Sequence, residues 1–259
     1  MTSIVGQDIL VKEISKIIDI FKASECKIRP HFILTGTSGS GKSFTIRSIA
    51  YAKEIGFVEV NAAQITKEGT SGNSLSKALS VLAQTGGKPT IVFVDEFDKL
   101  FISGNSNNSA AHEATTGVQN EFLKVLESET TSVFGDYGKY INIPIHNTLF
   151  IFAGAFNGEP NITLDRLREI GVKTEFLGRV GLVYNTKELS LENLYEILEN
   201  SELLTRYLKL FETDIPREVV VNTLKEYIRD NYDNNTLGAR MINTLINTYF
   251  IKGGKIDKE

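Results

Sequence analysis

The eight residues Gly36-Thr37-Ser38-Gly39-Ser40-Gly41-Lys42-Ser43 fit the pattern G-x-x-x-x-G-K-[S/T] at every fixed position. A segment of this kind has to run from a strand into a helix, because only there do backbone N–H groups and a helix N-terminus converge on polyphosphate. The flanks supply both elements. His31-Phe32-Ile33-Leu34-Thr35 reads as a short buried strand, and Phe44 to Glu54 as a helix. The implied ligand is a nucleoside triphosphate, taken as ATP with Mg²⁺. Gly36, Thr37, Ser38, Gly39, Ser40, Gly41, Lys42, Ser43 and Phe44 are the expected binding residues, with Lys42 on the β/γ-phosphates and Ser43 on the metal.

Beyond the loop, short β-like runs alternate with helical patterns: Val58-Glu59-Val60, Ser74 to Gln84, Thr90 to Val94, Gly117 to Ser128 and Thr148 to Phe152. This rhythm predicts an α/β fold with a parallel sheet flanked by helices. After about Asn185 the character changes. Leu191 to Leu198, Leu203 to Phe211, Pro216 to Arg229 and Ala239 to Phe250 all read as helices, with Pro216 at a helix start behind Asp214 and Thr236 placed to cap the last one. The expected organisation is a nucleotide-binding α/β domain over 1–185 and a small helical domain over 186–259. The polar run from Ser103 to Ser109 is expected to be a mobile surface loop.

Composition narrows the setting. A chain of 259 residues with 41% hydrophobic and 23% charged residues has the balance of a soluble globular protein. Its longest apolar runs are too short to span a membrane and its N-terminus lacks the order of a signal peptide, so a cytoplasmic location is expected. Cys26 is alone and three histidines are scattered, which leaves no disulfide framework and no zinc spacing. A net charge of −4 without a dense Lys/Arg block argues against nucleic acid as the main partner.

The apolar strand Ile91-Val92-Phe93-Val94 ends in Asp95-Glu96. Acids there emerge at the carboxyl edge of the sheet beside the phosphates, as in a Walker B segment. Asp95 would hold the Mg²⁺ hydration shell, and Glu96 would orient and deprotonate the attacking water. Asp98 and Lys99 read as local helix-end charges.

At this point the chain resembles the AAA+ ATPases, and within them the ClpX/HslU group of protein unfoldases. Ile4-Val5-Gly6-Gln7-Asp8 looks like the segment that opens the AAA+ module and packs on adenine, through Val5. Val94-Asp95-Glu96-Phe97-Asp98-Lys99 resembles that group's VDEIDK. Gly117-Val118-Gln119-Asn120, followed by Leu123 to Glu127, is similar to its GVQQ helix. Phe152 to Phe156 looks like the end of its sensor-1 strand, with Asn157 the first side chain able to touch a phosphate or water. Glu175-Phe176-Leu177-Gly178-Arg179 resembles the segment of its arginine finger, and Leu237-Gly238-Ala239-Arg240 its sensor-2 motif. The resemblance runs from Ile4 to about Phe250. It implies that Arg179 acts in trans on the γ-phosphate of a neighbouring subunit, in a homo-oligomeric ring expected to be a hexamer, and that Arg240 contacts the nucleotide in cis.

The chain departs from that group in several places. Where the unfoldases carry an aromatic–aliphatic pair between two glycines, the aligned residues are Gly69-Thr70-Ser71-Gly72, whose small hydroxyl side chains offer little grip on a polypeptide. Between Phe156 and Glu175 there is no long insertion with the apolar tripeptide that docks ClpX on its peptidase. A cysteine-rich N-terminal domain is not seen, and the small domain looks trimmed of its last strand, so a bare AAA+ core is expected. The leading expectation is an ATP-hydrolysing ring that remodels or helps assemble a protein partner without peptidase coupling. Two alternatives stand beside it. One is a nucleic-acid-associated motor or helicase loader, and the other a nucleotide-gated scaffold or inhibitor that co-assembles with a larger unfoldase.

Overall fold

The computed structural model describes residues 4–66, 73–101, 109–135, 138–211 and 216–254. The aligned segment Gly69–Gly72, most of the polar run from Ser103 and Asp214 lie outside the described residues. Contacts group the chain into two units. One gathers Ile9–Gly36 with Lys42–Asn185, and the other gathers Met1–Asp8, Thr37–Gly41 and Thr186–Glu259.

In chain order the elements up to the second α/β crossover are α1 (Asp8–Ala23), β1 (Phe32–Thr35), α2 (Lys42–Ala52), β2 (Gly56–Asn61), the two-residue strands β3 (Ile65–Thr66) and β4 (Asn73–Ser74), α3 (Leu75–Ala78) and β5 (Thr90–Asp95). There follow α4 (Ser109–Glu127), β6 (Thr130–Phe134), β7 (Tyr140–Pro144), β8 (Thr148–Gly154), α5 (Leu164–Glu169), α6 (Thr174–Arg179) and β9 (Leu182–Asn185). The chain continues with α7 (Leu191–Glu199), α8 (Glu202–Phe211), α9 (Arg217–Asp230) and α10 (Arg240–Ile251).

Five strands form a parallel sheet in the order β2-β5-β8-β1-β9. Burial explains which strands were easy to read. Every residue of β1 and β8 is buried, as are all but the last of β5, because helices cover both faces of a parallel sheet. The edge strands β2 and β9 are only partly buried. Register brings Thr35 opposite Gly154 and Asn185, and Asn61 opposite Asp95, so the carboxyl ends of the strands share one edge. α1 presents Leu10, Ile14, Ile17, Ile18 and Phe21 at helical spacing, the stripe expected of a helix laid on a core.

Three local features differ from the sequence reading. The expected helix from Ser74 to Gln84 is one α-turn followed by a 3-10 stretch, Leu79–Thr85. Ser80 and Thr85 donate their hydroxyls to the carbonyls of Lys77 and Leu82, three residues back, and so favour the tighter winding. Thr236 does not cap the last helix; the N-cap is Ala239, without a side-chain bond. Asn235 organises the approach instead, accepting from Leu237 N–H at 3.0 Å and donating to the Gly238 carbonyl at 3.2 Å. The antiparallel hairpin β6–β7 has no counterpart in the sequence reading, because most of its residues are exposed.

In the helical unit, Leu194, Leu198, Leu204, Val220, Leu224, Ile228, Ile242 and Ile246 form a separate apolar core. Ser190 starts α7 with a reciprocal capping box: Asn193 N–H donates to its hydroxyl and Ser190 N–H to the Asn193 side chain. Gln7 exchanges two hydrogen bonds with the backbone of Lys187, at 2.7 and 3.0 Å, which ties the Ile4–Asp8 segment to this unit.

Candidate functional site

At the carboxyl edge of the sheet, Thr35 is fully buried and donates its hydroxyl to Asn185 at 2.6 Å. Asn185 also accepts from Ile162 N–H and donates to the Ile162 carbonyl, so one amide fixes the end of β1, the end of β9 and the chain before α5. Gly36 follows, and Lys42 opens α2. Lys42 is 9% exposed, and its Nζ donates to the Gly36 carbonyl at 2.6 Å. This holds the ammonium at the start of the loop.

Ser43 Oγ donates to Asp95 Oδ2 at 3.3 Å, while Asp95 Oδ1 accepts from the backbone N–H of Glu96 at 2.8 Å. A hydroxyl from one segment and a carboxylate from another thus stand side by side. Glu96 is exposed and has φ 56° and ψ 30°, the left-handed region that a non-glycine residue adopts at a cost of about 1–3 kcal/mol. Its side chain is exposed to solvent at this turn. Phe44 is 44% exposed at the start of α2.

The turn after β8 is strained as well, with Phe156 at φ 45° and Asn157 at φ 57°. Asn157 is exposed there. Asp98 is not a surface helix-end charge. It is 1% exposed, and its Oδ2 accepts from Phe156 N–H at 3.2 Å. The carboxylate of the turn after β5 therefore holds the turn that carries Asn157. A signal for this was present: Phe97 and Leu100 flank Asp98 in a short apolar turn, where an acid is out of place unless it has a partner. Lys99 is the exposed member of that pair, 3.9 Å from Asp98.

Arg179 is the last residue of α6 and is paired with Glu127 of α4, Nε and Nη2 lying 3.1 and 2.9 Å from Glu127 Oε1.

The remaining loop residues belong to the helical unit. Arg240 Nη1 donates to Ser38 Oγ at 3.1 Å, and Ala239 N–H to the Gly39 carbonyl at 3.0 Å. Gly39 has φ 75°, and a Cβ there would run into the Leu237 carbonyl; one on Gly238 would come 2.8 Å from the Gly39 oxygen. Two backbones meet where neither residue has a side chain. Among the described residues Ser40 Oγ is buried without a hydrogen-bond partner, and Ser40 N–H donates to Thr37 O at 3.3 Å. Val5 is 8% exposed.

Lys42, Ser43 and Asp95 fit a phosphate chain with Mg²⁺. The orphaned Ser40 hydroxyl is a buried donor of the sort that a bound oxyanion satisfies. Mg²⁺ takes few protein ligands and keeps water and phosphate oxygens, and Ser43 with Asp95 offers that sparse set of hard oxygens. Among the described residues there is no cluster of three or more His, Cys, Asp or Glu that would build a protein-only cage.

Residues 32–173 match the model of the ATPase family associated with various cellular activities (AAA). The chain belongs to the AAA family. Its α/β architecture, parallel sheet and helical continuation are those of a P-loop AAA+ ATPase. Among curated relatives, the ATP-dependent Clp protease ATP-binding subunit ClpX of Bacteroides thetaiotaomicron is 26% identical over 264 aligned positions, covering 85% of this chain. ClpX of Bacteroides fragilis gives the same values, and ClpX of Porphyromonas gingivalis is 25% identical over the same span. This AAA chain is thus ClpX-like, and it spans 64% of the length of those relatives. No helix among its described residues is long and apolar enough to cross a membrane.

Proposed function

We propose that this chain binds ATP with Mg²⁺ and hydrolyses it to ADP and phosphate in a homo-oligomeric ring, a hexamer, that remodels or assists assembly of a protein partner without peptidase coupling. The observation that carries the reading is the Ser43–Asp95 hydrogen bond at the carboxyl edge, beside Lys42. Two segments distant in sequence present a hydroxyl and a carboxylate together. When bound, Mg²⁺ supplies Lewis-acid neutralisation of charge on the phosphate oxygens.

The chain's own groups divide the remaining work. Lys42 places its ammonium on the β/γ-phosphates, and the loop from Gly36 to Ser43 gives them backbone N–H groups, with Phe44 following at the head of α2. Ser43 and Asp95 hold the metal. Glu96, exposed at its left-handed turn, takes the proton of the attacking water. Asn157 acts as sensor 1, and Arg179 serves the γ-phosphate of a neighbouring subunit. Val5 packs on adenine, while Arg240, bonded to Ser38, reads the nucleotide in cis. In this reading 1–185 is the nucleotide-binding domain and 186–259 the helical one. A cytoplasmic location and a protein partner follow the likeness to ClpX, and no dense basic segment favours nucleic acid.

The division of labour is tested by two variants measured for nucleotide binding and turnover. Lys42→Ala should lose ATP binding, whereas Glu96→Gln should retain ATP and stop hydrolysis. Equal loss of binding in both contradicts the assignment.

A further inference from the structure

Three polar contacts join α4 to the segment that ends in Arg179. Gln119, 4% exposed, accepts from the backbone N–H of Lys173 at 3.3 Å, and Asn120 Oδ1 accepts from Lys173 Nζ at 2.7 Å. About two turns further along α4, Glu127 takes the Arg179 guanidinium. Lys173 precedes α6 and Arg179 ends it, so these contacts fall at its two ends.

The body of α6 is anchored from below. Phe176 is fully buried, stacked on Phe97 at 5.2 Å and edge-on to Phe152 at 4.9 Å. Phe122 of α4 meets the same two rings, at 6.3 and 5.4 Å. One aromatic cluster therefore joins the turn after β5, the β8 strand, α4 and α6.

A helix of six residues that contains Gly178 cannot set its own orientation, since helices shorter than about 12–15 residues are marginal in isolation. Ring packing alone allows sliding and rotation, whereas a hydrogen bond is directional. Gln119 sits beside the buried apolar face of α4 formed by Val118, Phe122, Val125 and Leu126, where an apolar residue would fill the space without the desolvation cost of an amide. The amide is explained by the direction it imposes on Lys173.

We propose that Gln119, Asn120 and Glu127 are positioning residues for Arg179, with α4 acting as the rail that aims it. This rests on the reading of Arg179 as a group serving a neighbouring subunit's ATP. The Gly117–Asn120 segment thereby has its physical role at the foot of α6.

The test compares ATP turnover of the full chain at saturating ATP, together with ATP affinity, for Gln119→Leu, Gln119→Glu, Glu127→Gln, Arg179→Ala and the Gln119→Leu/Arg179→Ala double variant. Gln119→Leu should lower kcat about ten- to a hundredfold with ATP affinity unchanged, the penalty of a misaimed group. Gln119→Glu, which keeps an acceptor for Lys173 N–H, should recover most of that rate. Glu127→Gln should lose about two- to fivefold, as suits an exposed pair. The double variant should be no slower than Arg179→Ala alone, because both changes remove one function. Multiplying losses, or a Gln119→Leu enzyme as fast as wild type beside an inactive Arg179→Ala, overturn the positioning role and leave the finger reading intact. An Arg179→Ala enzyme with the wild-type rate removes the finger reading and the positioning role together.

Discussion

Ser43 and Asp95, 52 residues apart in sequence, share a hydrogen bond of 3.3 Å at the carboxyl edge of the sheet. The pairing is a product of strand order: β5 and β1 flank β8 in a parallel sheet, so their carboxyl ends, one carrying Asp95 and the other leading to Ser43, lie on one side. Asp95→Asn keeps the shape and removes the charge. It should lower Mg²⁺-dependent hydrolysis about a hundredfold while Mg²⁺-free nucleotide binding, followed by fluorescence of a labelled analogue, stays near wild type. Unchanged hydrolysis would remove Asp95 from the metal site.

Gly39 and Gly238 meet backbone to backbone, with Ala239 N–H on the Gly39 carbonyl. Gly39→Ala adds a methyl at φ 75° against the Leu237 carbonyl, so the segment has to move. The expected cost is about 1–3 kcal/mol, read as a loss in urea unfolding or as weakened ATP affinity in proportion. A neutral Gly39→Ala would show that this approach is not maintained in solution.

Asp98 reaches the turn of Asn157 through Phe156 N–H. Asp98→Ala leaves that buried donor unpaired and should cost about 1–3 kcal/mol in chemical denaturation, with turnover falling as well. Asp98→Asn retains an oxygen acceptor and should recover most of the stability. If both variants unfold at the same denaturant concentration, the hydrogen bond is not what Asp98 contributes.

His31 accepts from Phe150 N–H at 3.0 Å and is buried beneath an edge-on contact with the Phe150 ring. Burial first, and the nearby Arg29 charge second, lower its pKa from 6.5 to about 3. Below pH 6.5 the unfolded chain therefore takes up a proton that the folded chain refuses. The stabilising contribution is complete above that value and is lost as pH falls toward about 3, at about 1.4 kcal/mol per unit. Between about pH 7 and pH 5 the wild type should lose about 2 kcal/mol more than His31→Gln in urea titrations. Equal losses would mean that His31 titrates normally.

The legible parts of the fold were those with one dominant signal. Ile91–Val94 and the apolar run from Leu149 lie in strands buried on both faces, and such runs declare themselves. The hairpin β6–β7 buries little beyond Val133 and Ile143, so its pattern carries almost no apolar alternation. Within the candidate site, the loop and the Asp95-Glu96 pair were visible as local patterns. The partners of Asp98, Asn185 and Gln119 were not, because each contact joins residues brought together only by the order of strands and helices. Thr236 shows the opposite failure, a plausible cap displaced by the side-chain bonds of its neighbour Asn235.

Hydrolysis completed by a neighbouring subunit's Arg179 is measured by steady-state phosphate release from the purified chain, with ATP and Mg²⁺, across a range of protein concentrations. Release should require Mg²⁺, be absent in Glu96→Gln, and rise more steeply than linearly with protein as subunits supply Arg179 to one another. Release no greater than that of Glu96→Gln, or a rate per subunit independent of concentration in a demonstrated monomer, would contradict it.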